Sequence, residues 1–112
     1  MKILHTADWH ADYNYPEFEK QVNFIIDYIK ENNIDLVLHA GDLFNSRIYA
    51  DKLYNKIIGK VQEIADLCDF MIVYGTPSHD YRGSLDSLEQ LKTKHNITVF
   101  DKIDIREVFN ND

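Results

Sequence analysis

Three short segments of this sequence concentrate the side chains able to hold a metal ion or move a proton. The first reads Thr6-Ala7-Asp8-Trp9-His10. Asp8 and His10 stand two apart, so on extended backbone both side chains project the same way. A carboxylate beside an imidazole suits manganese, iron or zinc. The second segment, Ala40-Gly41-Asp42-Leu43-Phe44-Asn45, puts a residue that permits a tight turn directly before a carboxylate. The two oxygens of Asp42 allow it to bridge two cations about 3.5–4 Å apart. The third is Gly75-Thr76-Pro77-Ser78-His79-Asp80, where His79 could reach a phosphate while Asp80 holds its imidazole in orientation. Each segment also has an ordinary reading: a chance Asp-x-His, a Gly-Asp turn, a turn with a solvated histidine. What separates the readings is whether the fold gathers all three.

The intervening chain alternates short apolar runs with amphipathic stretches, the pattern of βαβ units. Residues 2–6 suit a buried strand. Residues 17–31 then place Phe18, Val22, Ile25, Ile26 and Ile29 on one helical face, with Pro16 at the start and Asn32-Asn33 at the end. A second strand is predicted over 35–39, and a helix over about 50–67 aligns Leu53, Ile57, Val61 and Ile64. A third strand follows at 70–74. The spacing of Leu85, Leu88 and Leu91 predicts a third helix over 84–92 with Ser84 as N-cap, then a fourth strand at 97–100 and a further short one at 103–108. The fold class is therefore α/β, a mainly parallel sheet with flanking helices. Strands joined by right-handed crossovers share one carboxyl edge, and all three segments fall in loops at that edge.

Composition narrows the class without naming a chemistry. The 112 residues fit one modest domain or a piece of a larger one, and 45% hydrophobic with 28% charged residues is ordinary for a globular fold. Nineteen acidic residues against twelve basic give a net charge of -7, which argues against a simple electrostatic nucleic-acid binder. Carboxylates neutralised by bound cations escape that objection. Cys68 is the single cysteine, so disulfides and cysteine-based metal sites are excluded, and an inert buried thiol is expected. The opening Met-Lys-Ile-Leu-His lacks the apolar stretch of a signal peptide, and no segment reaches membrane-spanning length; the expected compartment is the cytoplasm, with no membrane partner.

Taken together, Asp8-x-His10, Gly41-Asp42 and the Gly75-x-x-x-His79-Asp80 turn resemble the calcineurin-like metallophosphoesterases. The opening Lys2-Ile-Leu-His-Thr-Ala-Asp-Trp-His10 and Gly41-Asp42-Leu-Phe44 are most similar to SbcD-type DNA exonuclease subunits and their phage relatives. The resemblance implies two divalent cations, manganese by family habit. Asp8 and His10 would hold one and Asp42 would bridge both. It further implies hydrolysis of DNA phosphodiesters by metal-activated water, with His79 assisting the leaving oxygen and Asp80 orienting His79. The family places a metal-binding Asn where this chain has Ser78, a weaker neutral ligand expected either to hold the second metal or simply to cap the turn, and Thr76-Pro77 lengthen that turn. Nothing after Asp80 matches the family's later Gly-His-x-His segment.

Residues 1–112 are accordingly expected to be the amino-terminal half of a metallophosphoesterase sandwich, with no second domain and little activity alone. Implied partners are DNA, an SbcC-type ATPase subunit, and a second copy or another chain carrying the missing half. The alternative is a non-catalytic interaction module or remnant keeping the fold and at most one weak metal site. An unrelated flavodoxin-like protein ranks last, for want of a Gly-rich phosphate loop.

Other polar and aromatic residues have plainer expectations. His5 and His39 read as structural, Trp9 as packing, and His95 as surface. Asn45 is placed where it could touch the site. Arg47 and Arg82 flank the proposed edge, where a guanidinium could match phosphate bidentately, although a solvated surface arginine is the more common outcome for each. The tyrosines are too scattered along the chain to argue for a base-stacking platform.

Overall fold

The computed structural model describes residues 1–102 and 105–106. The chain runs β1 (Ile3–Thr6), α1 (Tyr15–Asn32), β2 (Leu36–His39), α2 (Asp51–Ala65), β3 (Asp69–Val73), a 3-10 helix (Asp86–Gln90) and β4 (Ile97–Phe100). The four strands are parallel and lie in chain order, β1-β2-β3-β4, with Thr6 beside His39, His39 beside Ile72 and Ile72 beside Val99. The strand predicted at 103–108 falls largely outside the described residues; Ile105 and Arg106, which are described, are not in a strand.

Each helix forms for a reason visible in its sequence. Along α1, Phe18, Val22, Ile26 and Ile29 recur at helical spacing and are buried, and Pro16 occupies its first turn. Asn33 closes it in the left-handed conformation at φ 49°, donating its N–H to the Ile29 carbonyl. In α2, Ile57, Val61 and Ile64 are the buried stripe. Both helices share one core with Val37, Phe70 and Ile72 of the sheet. Because the strand order never reverses, right-handed crossovers all lie on the same face. The opposite face stays open: Ile3 is 51% and Val73 40% exposed. No helix among the described residues is long and apolar enough to cross a membrane.

The third predicted helix is a correction. Residues 86–90 form one short 3-10 helix, and Leu85 precedes it as N-cap with no side-chain cap. Leu85, Leu88 and Leu91 recur every three residues, a spacing that matches the 3-10 period of 3.0 per turn as well as one face of an α-helix. Leu85 and Leu88 are fully buried by it. Ser84 does not cap; its carbonyl accepts the Tyr54 hydroxyl. Since α2 ends at Ala65, Cys68 lies in the turn into β3, where burial pushes its thiol up to about 11.

Candidate metal centre

The loops after β1 and β2 run side by side past the ends of their strands. Asp8 N–H donates to the Gly41 carbonyl at 3.0 Å, His10 N–H to Asp42 at 3.1 Å and Ala11 N–H to Leu43 at 2.8 Å; Asn45 N–H returns to Ala11 at 2.9 Å. Asp8 and His10 project together, but not from extended backbone. Their φ angles are 57° and 48°, and Asp42 has φ 58°; Asn33 is the other non-glycine residue with positive φ among those described. Each left-handed non-glycine residue costs about 1–3 kcal/mol and persists only where its surroundings dictate it. Here the ladder between the two loops dictates it.

The loop after β3 is tied to the same place by two carboxylates. Asp80, 1% exposed, accepts the N–H groups of Asp42 at 2.8 Å, Phe44 at 3.1 Å and Gly75 at 2.9 Å. Asp42 Oδ1 accepts the Thr76 N–H at 2.7 Å, and the Thr76 hydroxyl lies 3.4 Å from Oδ2. Burial alone would raise the Asp42 pKa. The Thr76 N–H, the nearby His79 and the Thr76 hydroxyl outweigh it, holding the carboxyl below its usual range.

What these loops gather is a donor set. His10, Asp42 and His79 each offer a ligand atom, and the three lie within 4.8 Å of one another. His10 Nε2 is 3.9 Å from Asp42 Oδ2 and 4.0 Å from Asp8 Oδ1. The His10 and His79 rings are parallel, 7° apart in plane and 4.8 Å between centroids. His79 Nδ1 meets the Asn45 carbonyl at 2.6 Å. A carbonyl only accepts, so Nδ1 carries the proton and Nε2 is the ring's available atom. Neighbouring donors on a single tetrahedral ion stand roughly 3.3–3.6 Å apart, so a bound cation would draw the widest of these spacings in by about an ångström. Imidazole and carboxylate together suit a divalent transition metal.

The structure treats the sequence-derived candidates unequally. Asp8 joins the group from its exposed rim, and His79, expected only at the leaving group, sits among the donors. Ser78 is exposed, in the turn between Thr76 and His79. Asp80 does not orient His79: its oxygens are committed to three backbone amides, and the Asn45 main chain takes the imidazole instead. The Asn45 side chain lies 3.4 Å from Asp12. Arg47 and Arg82 line a cleft that also includes His79.

Two contributors carry no signal in the sequence. Thr76 belongs to no motif that marks it as the clamp on Asp42. His39, expected to be structural, is buried, accepts the Gly41 N–H on Nδ1 at 3.1 Å, and has no partner for Nε2 among the described residues. Trp9 packs edge-on against it at 4.5 Å and donates its indole N–H to the Thr6 hydroxyl at 2.7 Å. Burial lowers the His39 pKa to about 4, against the pull of Asp42 and with a small push from His5.

A family model described as calcineurin-like phosphoesterase matches residues 1–111. The SbcD component of the SbcCD nuclease of Escherichia coli (strain K12) is 27% identical over 108 residues, covering 88% of this chain and 26% of its own length. The DNA double-strand break repair protein Mre11 of Methanosarcina mazei is 31% identical over 100 residues, 81% of this chain and 16% of that protein. Mre11 of Methanosarcina acetivorans is 39% identical over 54 residues, 42% of this chain. The chain thus spans about a quarter of the length of the Escherichia coli relative.

Proposed function

This chain belongs to the calcineurin-like phosphoesterase family, and from that premise we propose that it hydrolyses phosphodiesters of DNA at the His10–Asp42–His79 group. The observation that carries the reading is the convergence of those three donors, with Asp8 beside them, from the ends of β1, β2 and β3. A divalent cation bound there, manganese by resemblance, supplies Lewis-acid polarisation of the phosphate and acidifies water at neutral pH. Asp42, kept ionised by the Thr76 N–H, is the anionic donor. Asp8 and His10 complete the near side. His79 offers Nε2 while the Asn45 carbonyl fixes its ring, so it either joins the ligand set or faces the leaving oxygen.

Three donors and a rim carboxylate suffice for one cation and are few for two. The 112-residue chain alone is therefore expected to cleave weakly, as an amino-terminal part of a nuclease domain. Resemblance to SbcD-type subunits points to an SbcC-type ATPase as partner, with a second copy or another chain supplying further donors. A second reading, a non-catalytic interaction module, has one observation in its favour: the open sheet face carrying Ile3 and Val73.

Calorimetric titration of manganese into the chain, beside His10→Ala and Asp42→Ala, tests the proposal. Saturable binding that both substitutions weaken at least about tenfold is expected, each lost ligand being worth at least ~1.4 kcal/mol. Absence of binding at millimolar manganese overturns it in favour of the interaction module.

A further inference from the structure

We infer that the cleft between the start of α2 and residues 79–84 is a nucleotide subsite, taking one unpaired nucleotide of the strand whose phosphate lies at His79. The cleft encloses about 300 Å³ and is walled by Phe44, Arg47, Tyr54, His79, Tyr81 and Arg82. His79 belongs both to this wall and to the donor group, so the two spaces share one side chain. A phosphate at that shared edge has its nucleoside directed into the cleft.

The lining has the two chemistries a nucleotide needs. Tyr49 and Tyr81, far apart in sequence, converge on one guanidinium: the Arg47 carbon stands 3.9 Å from the Tyr81 ring centre and 4.8 Å from that of Tyr49. Tyr81 is 43% exposed, so its ring keeps a free surface for a base. Phe44 and Tyr54 stack at 5.6 Å with planes 15° apart, forming a flat inner wall. Among the described residues the ion pairs engage His10, Lys60 and His95, so neither Arg47 nor Arg82 has a carboxylate partner. In a chain of net charge -7, two arginines held without counter-ions beside a cation-competent group are positioned for phosphate oxygens. Asp51 also lines the cleft, in the first turn of α2, where the helix N-terminus offsets its charge.

Size sets the substrate class. The volume is at the low end of small-ligand sites, ~300–1,000 Å³, enough for one nucleotide and too small for a base pair. A strand would enter singly, with its last unpaired nucleotide seated beside Tyr81. Only the placement of this nucleotide next to the scissile bond rests on the phosphodiesterase reading; its binding does not.

The test is titration of thymidine 5′- or 3′-monophosphate into the whole chain in EDTA, followed by amide shifts, with thymidine and inorganic phosphate as half-ligands. Saturable binding of one monophosphate is expected, with shifts at Tyr54, Tyr81 and Ser84, and each half-ligand weaker by at least about tenfold. Arg47→Gln and Tyr81→Leu should each weaken it by about tenfold or more, while Tyr81→Phe, which keeps the ring, stays near the parent affinity. No saturation by roughly 10 mM monophosphate, inorganic phosphate binding as tightly as nucleotide, or indifference to both Arg47→Gln and Tyr81→Leu overturns the assignment. Nucleotide binding in EDTA by a chain that takes no manganese would sustain the subsite while defeating the metal-centre proposal.

Discussion

Gly41 and Gly75 meet backbone to backbone: a Cβ on Gly41 would stand 2.7 Å from the Gly75 Cα and 2.8 Å from its nitrogen. A Cβ on Gly75 would overlap the Asp42 amide and carboxylate. Gly41 also holds φ 101°, a conformation L side chains rarely adopt. The ends of β2 and β3 are thus pressed together, which is how Asp42 comes within reach of the Thr76 amide. Gly41→Ala and Gly75→Ala are expected to cost roughly 2–4 kcal/mol each and to loosen metal binding. Gly59, with open space around it in α2, serves as the contrast; Gly59→Ala should stabilise by about 0.5–1 kcal/mol. Urea midpoints of the three variants settle the matter, and equal shifts at 59 and 75 would refute the close approach.

Asp80 is assigned to scaffolding by its three amide partners. Asp80→Ala leaves those N–H groups without an acceptor, and the expected loss is about 3–5 kcal/mol. A residue that merely oriented His79 would alter activity and leave the unfolding midpoint where it was. Chemical denaturation of the metal-free chain distinguishes the two roles.

His39 should make stability depend on pH. Its folded pKa, about 4, is below its ordinary 6.5, so the unfolded chain binds more protons between those values. Stability therefore falls as pH drops below 6.5 and levels off below the folded value, a span of about 3 kcal/mol at most. His39→Phe should remove this contribution to the slope while costing about 1–3 kcal/mol at neutral pH, because the Gly41 N–H loses its acceptor. Denaturation midpoints from about pH 3 to about pH 7.5 for both proteins would show it (those limits being roughly one unit beyond the steep region); parallel curves would count against a buried neutral His39.

His79 can be separated from its neighbours by affinity. If it ligates, His79→Ala lowers manganese affinity by about tenfold or more; if it serves only the leaving oxygen, affinity holds and turnover alone falls. Asn45→Ala should change little, since the main-chain carbonyl and not the amide meets the ring. A large loss of manganese binding in Asn45→Ala would contradict that geometry.

Most of the fold was readable because its cues are local. The apolar periodicities of α1 and α2, the Asn33 stop and the four short β runs all lie within the elements they specify. The 84–92 segment is ambiguous in sequence because three leucines at a spacing of three satisfy two helical periods, and the chain takes the 3-10 one over Asp86–Gln90. Asp8, His10, Asp42 and His79 were legible by type and loop position. The real duties of Asp80, Thr76 and the Asn45 carbonyl were not, because they depend on which backbone amide faces which oxygen across loops about thirty or more residues apart. The Tyr49–Arg47–Tyr81 stack was hidden for the same reason: one-dimensional scatter says nothing of rings that meet around a guanidinium.

The sheet's strand order has a consequence for synthesis. Each strand leaving the ribosome finds its neighbour already made, since β2 adds to β1, β3 to β2 and β4 to β3. Once residue 80 has emerged, His10, Asp42, His79 and the Asp80 tie are available; Leu85, Leu88 and β4 add cover afterwards. Nascent chains fold from the amino terminus as they grow, so this arrangement lets the three loops that carry the candidate donors come together co-translationally, before β4 docks.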